Sequence, residues 1–175
     1  SIRRQRQMCI RDSSEIMCYE QISGIFPIVY TESLVNAKTP VAELPHTACH
    51  ELAHQYGFMQ EDEANFIGYL ACINSDDVLY IYSGYYTAFR YAMSQLYSYD
   101  KDAWQEIAEA VDPGIYTDIS KGNSFWSSYE DKAEVIAAVS ESVNNAYLQA
   151  NNISDGTHSY GRMVDLLIAE YRGIL

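Results

Sequence analysis

The stretch His46-Thr47-Ala48-Cys49-His50-Glu51-Leu52-Ala53-His54, followed by Gly57 and then Glu61-Asp62-Glu63-Ala64-Asn65, decides how the rest of the chain is read. It contains His-Glu-x-x-His. On a helix, His50 and His54 are four residues apart and share one face, so their imidazoles can hold one metal ion. Glu51 is rotated about 100° from His50 at 3.6 residues per turn. It therefore stands beside such an ion, where a general base for an activated water belongs.

Catalytic zinc takes three protein ligands and keeps one position open. Gly57 lies three residues past His54 and suits the left-handed turn that ends a helix. A second helix then starts near Gln60. Glu61, Ala64, Asn65, Gly68, Ala71 and Cys72 fall on one of its faces, and after Glu61 that face is small or short. Such a stripe lets two helix backbones approach closely. Glu61 stands at the turn-proximal end, where it is the expected third ligand. Glu63, about 200° round the helix, is the alternative. Asn65 is the expected acceptor for the free ring N–H of a ligand histidine. His46 is about 12 Å from His54 along the axis at 1.5 Å per residue. It is therefore expected to pack at the helix start rather than bind the same ion.

Glu61-Asp62-Glu63-Ala64-Asn65 resembles the Glu-x-x-x-Asp/Asn element of the gluzincin metallopeptidases. In that family the Glu is the third zinc ligand and the residue four later supports a ligand histidine. His50 to Cys72, with Tyr82-Ser83-Gly84-Tyr85 and Ser159-Tyr160-Gly161-Arg162, resembles an uncharacterised bacterial family of membrane-anchored proteins read as metallopeptidases. The resemblance implies a zincin-like domain over residues 1–175, excised from a longer chain with upstream transmembrane helices. It also implies a membrane-anchored protein whose soluble domain is extracytoplasmic. Basic Arg3, Arg4, Arg6 and Arg11 pull the other way, because basic residues favour the cytoplasmic side or lipid headgroups.

At 175 residues the chain is expected to form one domain with a real core. With 48% apolar and 20% charged residues it reads as globular rather than disordered. A formal charge of −13 argues against a nucleic-acid partner, whose phosphates it would repel. No apolar run approaches the roughly 18 residues that span a bilayer. Cys49 and Cys72 read as small buried residues; no Cys-x-x-Cys occurs, and whether Cys9 and Cys18 pair stays open.

In chain order, residues 1–17 read as a short helix. Ile25, Phe26, Ile28, Val29 and Tyr30 read as an edge strand because Pro27 interrupts them, with Leu34 and Val35 as the return strand. The strand is either a backbone-binding edge for substrate or a packing hairpin. The metal helix is expected from Val41 or Pro45 to Tyr56, and the next from Gln60 to Ile73. Ser75 or Asp76 should cap a tyrosine-rich helix from Val78 to Tyr97, whose tyrosines either line a groove or cap the core. A helix from Lys101 to Val111 ends at Asp112-Pro113-Gly114. Residues 115–126 read as irregular, Ser127-x-x-Glu130 as a capping box, and Ile136, Val139, Val143 and Tyr147 as one helical face. Asn151–Gly156 reads as a loop, and a last helix starts near Ser159. At that start Tyr160, then His158 or Arg162, are candidates to stabilise an oxyanion; the alternative is loop and cap contacts.

The expected fold is mainly α (α+β), a zincin-like helical domain with a small hairpin beside the metal helix. The expected function is peptide hydrolysis by a Zn2+ enzyme, with His50, His54 and Glu61 as ligands, Glu51 as general base and a peptide or protein as substrate. A non-catalytic zinc- or peptide-binding sensor module of a membrane protein is the alternative. A metal-free helical interaction domain is the third reading.

Overall fold

A computed structural model describes residues 14–27, 32–130 and 158–172, with side chains in the last segment described from 161. The arginine-rich start, Cys9, Ile28–Tyr30 and the helical face from Ile136 to Tyr147 lie outside the described residues. So do the loop from Asn151 to Gly156 and the side chains of His158 and Tyr160.

The protein is mainly helical with one two-stranded antiparallel sheet. Helix α1 covers residues 14–19. Strands β1 (Gly24–Ile25) and β2 (Leu34–Val35) pair with Gly24 opposite Val35 and Ile25 opposite Leu34. Helices α2 (Leu44–Gln55), α3 (Glu61–Ile73), α4 (Val78–Tyr99) and α5 (Lys101–Ala110) follow. Residues 113–130 form α6, and α7 runs His158–Tyr171. No helix among the described residues is long and apolar enough to cross a membrane.

Several expectations are corrected here. Among the described residues the first strand is Gly24–Ile25, so Pro27 lies beyond it. The cap of α4 is Asp77, whose carboxylate accepts the Leu79 N–H at 2.8 Å, not Ser75 or Asp76. Residues 115–126 are helical rather than irregular. Pro113 opens a helix because proline tolerates the first turn, where its missing N–H costs nothing, and Asp112 accepts the Gly114 N–H at 2.7 Å. Ser127 and Glu130 consequently lie inside α6 and start no helix.

Helix α2 begins at Leu44 with Pro45 in its first turn, and the residue before it, Glu43, makes no side-chain cap. The orphan His46 N–H is taken instead by Ser83 Oγ of α4 at 3.0 Å, with Ser83 fully buried. At the other end Gly57 has φ of 100°, and the Phe58 N–H reaches back to the Ala53 carbonyl at 3.1 Å. This closes the helix as a Schellman turn. The chain then enters α3, whose first turn carries Glu61, Asp62 and Glu63 where the helix dipole favours acids.

Helices α3, α4 and α7 share the apolar core of Tyr69, Ala88, Met163 and Leu167, flanked by Phe66, Leu70 and Ile73. Burying each large apolar side chain contributes about 1.5–3 kcal/mol. Tyrosines divide between roles: Tyr69 and Tyr86 are buried, while Tyr56 and Tyr99 are largely exposed. Ala64, Gly68 and Cys72 form the buried small face of α3, but Ala71 turns to solvent. On the other side of α2, the hairpin is held by buried Asn36. Its amide donates to Cys18 Sγ and the Ile22 carbonyl, and its backbone N–H to the Ser23 carbonyl. Arg162 of α7 donates to Asp62 of α3 at 3.1 Å, tying the last helix to the start of α3.

A Cβ at Gly84 would lie 2.7 Å from Cys72 Cβ and 3.4 Å from the Tyr69 carbonyl, so α4 rests directly on α3 there. Gly84→Ala should destabilise the fold by about 1–3 kcal/mol despite alanine's better helix propensity. Urea unfolding checks this, with a lowered midpoint at unchanged slope as the expected result.

Candidate metal centre

His50 and His54 lie on the face of α2 that meets α3. Their Nε2 atoms are 3.0 Å apart, with the rings nearly perpendicular. The Glu61 carboxylate enters from α3, 3.3 Å from His50 Nε2 and 3.5 Å from His54 Nε2. Two imidazoles and one carboxylate thus offer three ligand atoms all within 4.8 Å of one another.

This set fits a tetrahedral zinc. Bonds of about 2.0–2.1 Å at tetrahedral angles put neighbouring ligand atoms about 3.3–3.4 Å apart. The two imidazole nitrogens stand 3.0 Å apart and each faces a different oxygen of Glu61, at 3.3 and 3.5 Å, so a small turn of the carboxylate completes the set. The hydrogen bond behind His54 supports the fit. Its Nδ1 lies 2.7 Å from the Phe58 carbonyl, which can only accept, so Nδ1 carries the proton and Nε2 presents a lone pair to the cluster. The Gly57 turn thereby orients a candidate ligand as well as ending the helix. His50 Nδ1 is buried and has no hydrogen-bond partner among the described residues.

Asn65 does not play its expected part. Its backbone carbonyl accepts from His46 Nε2 at 3.1 Å, and neither cluster histidine uses it. His46 packs at the helix start as expected, its ring 6.4 Å from that of His50. Glu63 is exposed and outside the cluster. Arg162 is engaged by Asp62 and does not line the cleft described below. Sequence reasoning missed Asp62, Ser83 and Asn36, polar residues whose partners are remote in the chain.

Glu51 sits beside the cluster with only 5% of its surface exposed. Strand β1 crosses directly over it: a Cβ at Gly24 would lie 2.5 Å from both Glu51 Cγ and Oε1. Strand β2 is fastened nearby by Ser33, whose hydroxyl donates to the Glu51 carbonyl at 2.8 Å. Burial pushes the Glu51 carboxyl up to about 7; His50 and His54 oppose the shift, and Glu61 adds to it. For Glu61 burial also works upward, but hydrogen bonds from His50 and His54 outweigh it and hold the carboxyl down to about 2. Burial works against the charged form of His54, yet the Glu61 carboxylate and the Phe58 carbonyl raise it overall.

A cleft of about 610 Å³ opens over His50, Glu51 and Glu61, within the usual range for ligand sites. Ser23 and Gly24 form one side; Thr87, Arg90, Tyr91 and Ser94, at helical spacing on α4, form the other. The arrangement can hold a Lewis acid beside a buried carboxyl that is poised to exchange a proton near neutral pH.

Two outcomes are expected. The protein binds one zinc per chain; His54→Ala and Glu61→Gln each weaken it by at least about 100-fold, beyond the cost typical of an outer partner, while Glu63→Gln leaves it unchanged. Competition with a chromophoric chelator measures this. The second concerns His46, lowered from 6.5 to about 4 by burial first and His50 next, against the Asn65 carbonyl. A depressed folded pKa contributes stability that is full above 6.5 and is lost as pH falls toward 4, here about 3 kcal/mol. In the zinc-free protein His46→Gln should flatten the urea midpoint across that window.

No curated protein and no solved structure matches the chain. Over residues 8–168 it matches the family described as protein of unknown function (DUF3810), and the chain belongs to that family.

Proposed function

We propose that this protein is a zinc metallopeptidase in which His50, His54 and Glu61 hold the metal and Glu51 is the general base. The observation that carries the reading is the convergence of two imidazoles and a carboxylate, 3.0–3.5 Å apart, beside a buried carboxyl at the floor of an open cleft. Zinc, when bound there, supplies a Lewis acid that polarises a carbonyl and acidifies water.

The chain's own residues do the rest. His54, oriented by the Phe58 carbonyl, keeps its lone pair on the cluster. Glu61 stands against both imidazole nitrogens and would meet the ion as a carboxylate. Glu51, kept dry by Gly24 and by its own burial, takes a proton from the attacking water and hands it to the leaving amine. Burial raises this carboxyl in the metal-free site, and the charge of a bound cation would draw it back down, leaving an ionised base beside the water. The polar stripe on α4 lies across the cleft, where a peptide backbone finds hydrogen-bond partners. An extracytoplasmic, membrane-anchored placement is part of the proposal and rests on the resemblance carried by His50 to Cys72, Tyr82 to Tyr85 and Ser159 to Arg162 alone.

The same donor set serves a non-catalytic zinc- or peptide-binding module, and the environment of Glu51 favours the enzyme. A sensor needs no carboxyl buried beside its metal and lining an open cleft. Glu51→Gln should keep full zinc occupancy and lose at least about 1000-fold in peptide hydrolysis. Metal analysis and turnover of a fluorogenic peptide library measure both. Equal turnover in the variant excludes Glu51 as base.

A further inference from the structure

We propose that Arg90 anchors a substrate carboxylate within about three residues of the bond that is cut, so that the site selects peptides bearing a negative charge there. This deepens the metallopeptidase reading and rests on it for the word substrate. Arg90 is the single Lys or Arg among the described residues that line the cleft.

Its guanidinium is held in place from behind. Nη1 donates to Glu43 Oε1 at 3.0 Å, and the plane lies over the Tyr86 ring, 5.6 Å from its centroid. Glu43 is itself fixed, because its other oxygen accepts the Trp126 indole N–H at 3.1 Å. Helix α6 also closes on it: a Cβ at Gly122 would lie 2.8 Å from Glu43 Oε1. Residues from α4 and α6 therefore converge on the residue that precedes α2 to set one guanidinium.

That support leaves Arg90 usable. A guanidinium has five N–H donors in a planar fork. Nη1 is engaged by Glu43 and the group also reaches the Tyr86 hydroxyl, which leaves the remaining donors for a ligand. The side chain remains 41% exposed. Glu43 offsets the charge, so recognition rests on the directional fork, which matches a carboxylate in two parallel hydrogen bonds. Position fits too. Glu43 precedes His50 by seven residues, about 10 Å along the axis at 1.5 Å per residue. An extended peptide covers that in about three residues at 3.3–3.6 Å each. Tyr91 and Ser94 beside Arg90 continue a polar wall, and among the described lining residues Ile22 is the one aliphatic side chain.

The carboxylate can be a chain terminus or an Asp or Glu side chain, and binding separates them. The zinc-loaded Glu51→Gln protein is titrated with acetylated tetra-alanine as free acid and as amide, and with amides carrying Asp or Asn in place of one alanine. About tenfold or more tighter binding of the free acid over its amide assigns a terminus; the same preference for Asp over Asn assigns a side chain. Arg90→Ala should erase the preference. Arg90→Lys, which keeps the pair with Glu43, should retain part of it. Equal affinities throughout, no binding, or a preference that survives Arg90→Ala in a folded, zinc-loaded protein overturns the proposal. Cleavage by the wild type without carboxylate preference would sink the anchor and leave the peptidase. Arg90-dependent binding without cleavage would keep the anchor and remove the peptidase.

Discussion

Gly68 controls how closely the two cluster-bearing helices approach. A Cβ at that position would sit 3.2 Å from the His50 backbone nitrogen and 3.3 Å from His46 Nε2, so α3 lies almost backbone-to-backbone on α2. Ordinary side chains hold helix axes about 8–10 Å apart. Here the small buried face of Ala64, Gly68 and Cys72 removes that spacer. Only then does a carboxylate at the first position of α3 reach between imidazoles on α2. Gly84 repeats the device one layer on, bringing α4 down onto Cys72. The position of the cleft's polar wall thus follows from two missing side chains.

Electrostatics divide otherwise similar groups into separate tasks. Glu51 and Glu61 are both largely withdrawn from water, yet one is pushed up and the other held down. The difference is geometric: Glu61 is within reach of two histidine ring nitrogens, whereas Glu51 has a buried oxygen with no partner. Histidines divide the same way. In the metal-free site His46, buried against a carbonyl and facing His50, stays neutral, while Glu61 raises His54; a bound cation would compete with that proton for Nε2. Such divergence among neighbours is characteristic of sites that move protons.

Periodicity made the cluster legible. His50, His54 and Glu61 are bound to their helices by local spacing, and Gly57 announces the turn between them. Polar residues with remote partners were opaque, since nothing local indicates that Ser83 caps α2, that Asp62 waits for Arg162, or that Asn36 ties α1 to the hairpin. Asn65 was misread because its backbone, not its side chain, does the work. Asp112-Pro113-Gly114 marks the end of α5, as expected, and also opens α6. The same three residues follow one helix and open the next, where the Asp112 carboxylate accepts the Gly114 N–H. Ser127 and Glu130 carry a helix-start pattern inside a helix for a similar reason: a capping box is a local preference that a continuing helix overrides.

The hairpin over Glu51 has two residues in each strand, too little to hold together by itself. Its lifetime is borrowed from Asn36 and Ser33. The two halves of the site therefore rest on elements of unequal stiffness: the ligand atoms on packed helices, the dryness of the base on a soft clasp. Local opening of that clasp needs far less free energy than unfolding the bundle. Ligand geometry and solvation can consequently vary on different timescales, with water admitted to the base while the three ligand atoms keep their places.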